Sequence, residues 1–155
     1  MLHRRVQMEG EIVAQNDYVE LDAVTLCAER AGVDFDTAAY ILEVRDDFHV
    51  AMEILEEGAA SLTFDPDAAR WRYPDLFPEE ALESGEVYPD RELTFVALES
   101  GLSPTVVAAA LLAEREYLVR IGLAVADWAS RYDSFLRERL DEIVTQVEAR
   151  MRFFQ

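Results

Sequence analysis

The sequence predicts an all-α fold: two helical hairpins with helix-turn-helix-like geometry, a proline-rich connector and a long C-terminal amphipathic helix. Three observations carry this reading. Ser103–Leu123 holds an unbroken apolar run, Val106 to Ala113, behind a serine suited to an N-cap and a proline suited to the first helical position. Apolar residues recur at helical spacing from about Val19 to Leu55, and again from about Arg91 to Met151. Between these blocks, Pro66, Pro74, Pro78 and Pro89 interrupt regular helix. A chain of 155 residues suits one domain with a substantial core.

In chain order, residues 1–18 are weakly patterned, and Glu11–Val13 reads equally as a short strand or as part of the first helix. The first hairpin spans 19–58. Its first helix carries Leu21, Val24, Leu26, Ala28 and Ala31 and stops at Gly32; Asp34 is the N-cap candidate for the second. Ala38, Ile41, Leu42, Phe48, Met52 and Leu55 follow at helical spacing until Glu56-Glu57-Gly58. Residues 59–92 form the connector, with Trp71, Tyr73 and Phe77 interleaved among prolines and one short helix expected near Pro78–Glu83. The second hairpin and the C-terminal helix occupy 91–155. Val107, Leu111 and Leu118 form one core stripe of the central helix, with Val106, Ala110, Tyr117 and Ile121 beside it. Because Ala108, Ala109 and Leu112 are apolar too, that helix should be enclosed on several sides, and Gly122 should close it. From about Ala124, Trp128, Tyr132, Phe135, Leu136, Leu140, Ile143, Val147 and Met151 share one side of an amphipathic helix of about 25 residues.

A shift of 69 positions brings the two blocks into rough register: Thr25 falls on Thr94, Ala28 on Ala97, Gly32 on Gly101, Leu42 on Leu111 and Val50 on Val119. This pattern is that of an internal repeat, or of two hairpins sharing residues that their geometry requires. The stretch Ala97-Leu-Glu-Ser-Gly101-Leu-Ser-Pro-Thr-Val-Val107 resembles the core positions of helix-turn-helix proteins, and Ala28 to Val33 is a weaker copy. The resemblance implies a helix–turn–helix shape over about 20 residues at each place. It does not bring a DNA-reading surface. The outward positions would be Thr105, Ala108, Ala109 and Leu112 in one block and Asp36, Thr37, Ala39, Tyr40 and Glu43 in the other, and none of these suits base edges.

Charge narrows the function further. The chain has 32 acidic residues against 14 cations, all arginine, for a formal −18. Residues 103–155 hold eight acids and seven arginines, so the excess lies in residues 1–102. Such a field repels nucleic acid and anionic lipid and attracts basic partners. Cys27, the single cysteine, excludes an intrachain disulfide and reads as a buried thiol. The N-terminal MLHRRVQMEGEIV lacks the apolar core of a secretory signal, and no stretch is long and apolar enough to span a membrane; the expectation is a cytoplasmic protein.

No catalytic motif is found: six scattered glycines make no phosphate loop, and two histidines without a nucleophile elbow make no triad. Asp46, His49, Glu53 and Glu57, spaced three, four and four residues apart, share one helix face, and they are the only metal candidates; their competing reading is a solvated flank. Trp71, Tyr73, Phe77, Trp128, Tyr132 and Phe135 are the candidate interaction residues, of types enriched in interface hot spots. The expectation is a non-catalytic acidic interaction or regulatory module, without cofactor, that self-associates and meets a protein partner of basic character. A helix-turn-helix DNA-binding regulator and an acidic nucleic-acid-mimicking inhibitor are the alternatives.

Overall fold

The computed structural model describes residues 3–4, 18–124 and 126–153. Seven α-helices build the body: α1 (Glu20–Ala31), α2 (Phe35–Ala51), α3 (Pro66–Arg72), α4 (Glu79–Ser84), α5 (Pro89–Ser100), α6 (Pro104–Arg120) and α7 (Ala126–Phe153). A two-residue antiparallel pairing joins β1 (His3–Arg4) to β2 (Tyr18–Val19). Glu11–Val13 lies outside the described residues. The all-α architecture with its long C-terminal helix is as the sequence predicts.

Each hairpin follows its local chemistry. Gly32 and Gly101 take left-handed φ values of 69° and 74° and end α1 and α5, a conformation that costs other residues a Cβ clash. Asp34 caps α2 by accepting from the Thr37 amide at 2.7 Å. Ser103 occupies the corresponding place before α6, with Pro104 at the first helical position, but its side chain makes no capping bond. The helix limits keep one spacing throughout. Glu20 and Pro89, Ala31 and Ser100, Phe35 and Pro104, and Ala51 and Arg120 all stand apart by the 69 residues that separate Arg45 from Glu114. Packing is reciprocal as well: α1 lies chiefly on α6, and α2 chiefly on α5.

The second helix stops at Ala51, short of the Glu56-Glu57-Gly58 expected to end it. Glu53 turns left-handed with φ 65°, its amide donates to Val50 O, and the Ile54 amide donates to His49 O. This is a Schellman closure, and it keeps three glutamates out of a helix C-terminus that would oppose them. Gly122, φ 78°, closes α6 by the same bonds to Val119 and Leu118.

The connector carries two short helices where one was expected. The missed one, α3, starts because Asp65 accepts from the amides of Asp67 and Ala68 and Pro66 sits at its first position. Aromatic contacts seat the connector: Phe77 lies 5.2 Å from Phe48 and 5.7 Å from Phe95, and Tyr73 lies 5.7 Å from Phe95. Such ring pairs add about 1 kcal/mol each beyond their buried area. Arg70 donates to the Ala51 carbonyl in the last turn of α2, and Arg150 of α7 pairs with Asp75 at 2.8 Å.

Helix α6 touches α1, α2, α5 and α7. Val107, Ala108, Ala110, Leu111 and Ala113 are buried in it, while Ala109 and Leu112 are half-buried. Helix α7 buries Tyr132, Leu136, Ile143 and Val147 and half-buries Phe135, Leu140 and Met151. Most of the apolar surface from which self-association was expected is thus covered within one chain.

Two consequences are testable. Replacing Glu53 by Gly should stabilise the fold by about 1 kcal/mol in chemical denaturation, and Gly122→Ala should destabilise it by about as much, because only glycine holds positive φ without strain. Burial pushes the Cys27 thiol up to about 12, and its S–H donates to Ala110 O at 3.3 Å. An aromatic disulfide reagent at pH 8 should therefore leave Cys27 unmodified in the native protein and react within seconds to minutes in denaturant.

Candidate functional site

Two apolar helices carry charged pairs at the same height. Arg45 and Asp46 lie in α2, Glu114 and Arg115 in α6, and the spacing of the hairpins superposes one pair on the other with signs reversed. Arg45 grips Glu114 through both terminal nitrogens, Nη2 donating to Oε2 at 2.8 Å, while its Nε donates to Asp46 at 3.0 Å. Tyr18 donates to Glu114 Oε2 at 2.7 Å, and the Val19 amide donates to the Tyr117 hydroxyl, so β2 is tied to α6.

One turn away, Glu92 of α5 is the hub of a second set. His49 Nε2 lies 2.6 Å from Glu92 Oε2, Arg115 Nη2 donates to Oε1 at 3.3 Å, and Tyr132 of α7 donates to Oε1. The Arg115 guanidinium also stacks on Tyr132, 3.4 Å from the ring centroid. Burial alone would raise the Glu92 carboxyl, but the His49 contact and the charges of Arg115 and Arg45 overcome it and hold the carboxyl at about 2. Burial and the adjacent Glu92 push the Tyr132 hydroxyl well above its ordinary value.

Arg115 connects this interior to the surface. It lines a groove of about 730 Å³ between α6 and α7, edged by Arg30 of α1. The other charged groups in the groove are Glu116, Arg120, Asp133 and Arg137. Glu116 accepts from Arg30 at 2.9 and 3.2 Å and from Arg120. The Asp133 carboxyl is raised first by burial, against the pull of Arg115 and Arg137.

The residues singled out from sequence are dispersed. Glu53 and Glu57 lie beyond the end of α2, so the single helix face that joined them to Asp46 and His49 does not exist. Asp46 pairs with Arg45 and His49 with Glu92. Among the described residues, no three His, Cys, Asp or Glu side chains are grouped to hold a metal. Tyr73, Phe77 and Tyr132 are buried in the core, and Phe135 is half-buried. Trp71 is 85% exposed. The side chain of Trp128 lies outside the described residues.

Arg45, Glu92, Glu114 and Arg115 were missed as core residues because a charged side chain within a helix reads as solvent-facing. A signal was present: opposite charges stand at equivalent positions of the two long hairpin helices. No protein-family model, curated protein or solved structure matches the chain.

Within the buried network, the Glu92 carboxylate makes stability depend on pH on the acid side. Glu92 is held below the ordinary carboxyl value of 4.5, so its contribution is complete above pH 4.5 and is lost as pH falls towards 2. The pKa difference corresponds to about 3 kcal/mol. Glu92→Gln should lower stability at pH 7 by about that amount and flatten the pH dependence of the denaturation midpoint between pH 4.5 and 2.

Proposed function

We propose that the protein is a non-catalytic interaction or regulatory module, built from two copies of one helical hairpin, whose first hairpin docks a basic amphipathic segment of another protein. One observation carries the reading: an apolar patch lies open on the acidic part of the chain. Leu21, Val24, Phe35 and Ala39 line a hollow of about 320 Å³ at the α1–α2 junction, with Glu20 at its edge. Leu21, Phe35 and Tyr40 are exposed. Asp36 and Glu43 are also exposed on the same helix as Phe35 and Tyr40. Apolar anchors beside carboxylates suit a helix with an apolar stripe and lysines or arginines along its flanks.

The same features weigh against the alternatives. In the helix-turn-helix comparison α6 would read bases, yet Ala108 is 1% exposed and Thr105 is the sole exposed residue among its four outward positions. A nucleic-acid mimic needs rows of carboxylates and has no use for an apolar hollow. No helix of the described residues is long and apolar enough to cross a membrane.

The test is a titration of the full chain, observed by amide and methyl NMR, with a basic amphipathic helical peptide and with its lysine-to-glutamate counterpart. Shifts should concentrate on α1 and α2 for the basic peptide alone. Leu21→Ala combined with Phe35→Ala should weaken binding about tenfold or more, the scale of a lost hot-spot anchor. Equal binding by the double variant, or shifts spread over the whole acidic surface, would remove the proposal.

A further inference from the structure

We propose that the groove between α6 and α7 is a binding site for a small organic oxyanion, a phosphate or carboxylate carried on an apolar body. The first ground is charge. Among the described residues, the groove collects Arg30, Arg120 and Arg137 against Glu116 and Asp133, with Arg115 set against its buried partner Glu92, a local excess of one positive charge in a chain of formal charge −18. Such an island does nothing for solubility, which the carboxylates already provide.

The second ground is preorganisation. Glu116 bridges Arg30 of α1, 86 residues away in sequence, and Arg120, four residues on in its own helix, and holds their guanidinium groups side by side. One carboxylate cannot neutralise two guanidiniums. The pair keeps a positive charge and N–H donors that the Glu116 bonds leave unused, in the planar forks that match phosphate and carboxylate oxygens. Arg137 reaches the groove from the opposite wall, one turn beyond Ser134 and two beyond Ser130. Between these polar groups Ala109, Leu112 and Val119 offer an apolar surface, and 730 Å³ falls in the range of small-ligand sites.

The third ground comes from the other half of the molecule. A shift of 69 carries Leu112 back to Glu43, Glu116 back to Asp47 and, beyond the hairpins, Ser130 back to Ser61, and it carries Arg30 forward to Glu99. There the seam is closed. Ser61 donates through its hydroxyl to Glu43 and through its amide to Asp47 at 2.8 Å, and Tyr73 donates to Glu99. An open seam is therefore no requirement of the hairpin packing. It opens beside α7, one helix of 28 residues, where arginines join the lining.

Calorimetric titration of the full chain at low salt tests the site with four probes: phenyl phosphate, benzoate, inorganic phosphate and benzylamine. Either aromatic anion should bind with one-to-one stoichiometry, and the two arms decide between phosphate and carboxylate as the preferred group. Inorganic phosphate should bind more weakly than phenyl phosphate because it leaves the apolar wall uncovered. Arg120→Gln and Arg137→Gln should each weaken the preferred anion about tenfold, the usual scale for a hydrogen bond to a charged group. Both residues lie at the surface outside the buried network, and unchanged circular dichroism would show that the fold is intact. Absence of binding by both aromatic anions at millimolar concentration, unchanged affinity in both variants, or equally tight binding of benzylamine would overturn the proposal.

Discussion

Arg45 and Glu114 meet inside the molecule, and neither could stay there alone. Taking a charged group out of water costs several kcal/mol, which a partner offsets only through close geometry and further hydrogen bonds. Those bonds are present: Asp46 on Arg45, Tyr18 on Glu114, and the Glu92 cluster beside them. The helices that bring these groups together are thereby fixed in height as well as in rotation. Apolar packing alone tolerates a sliding helix; a bidentate guanidinium–carboxylate contact does not. A slip of one turn, about 5 Å, would leave buried charges on both sides of the interface.

The remaining architecture follows from this constraint. Glu92 must come from α5, so the connector has to return the chain to the face of α2, and the Phe48, Tyr73, Phe77 and Phe95 rings fill the space this leaves. Tyr132 must reach Glu92, which sets where α7 crosses, and Arg150 secures its far end on Asp75. The Tyr18 hydroxyl on Glu114 ties the strand before α1 to the same centre.

What could be read in the sequence was whatever depends on one residue and its near neighbours. Gly32, Gly101 and Asp34 mark helix ends because their conformations are local, and the 3.6-residue period of Tyr132, Leu136, Ile143 and Val147 marks the buried side of α7. What escaped was set by distant partners. Glu53 in a left-handed turn is an unusual choice at a site that favours glycine, so α2 reads as longer than it is. Asp65-Pro66 is a sound helix start, yet it sat among prolines that read as breakers. Glu92 was illegible for the same reason: it looks like any surface glutamate until His49, Arg115 and Tyr132 are brought to it from 43, 23 and 40 residues away.

The equal spacing of the two hairpins gives the central pair a further meaning. When two like units pack reciprocally, short helix on long helix both ways, positions near the axis between them face their own equivalents. Arg45 and Glu114 are such equivalents, and they touch. In an association of two identical chains that contact would set arginine against arginine, or glutamate against glutamate, in a low-dielectric interior. A single chain escapes this because its two halves can differ, one taking each sign. The same freedom shapes the outer seams. The acidic seam on the first half is closed by Ser61 and Tyr73, while on the second half Arg30 and Arg120 share Glu116 across an open groove. Asymmetry at the centre lets opposite charges meet there, and asymmetry at the seams leaves one of them bridged by hydrogen bonds and the other an open groove.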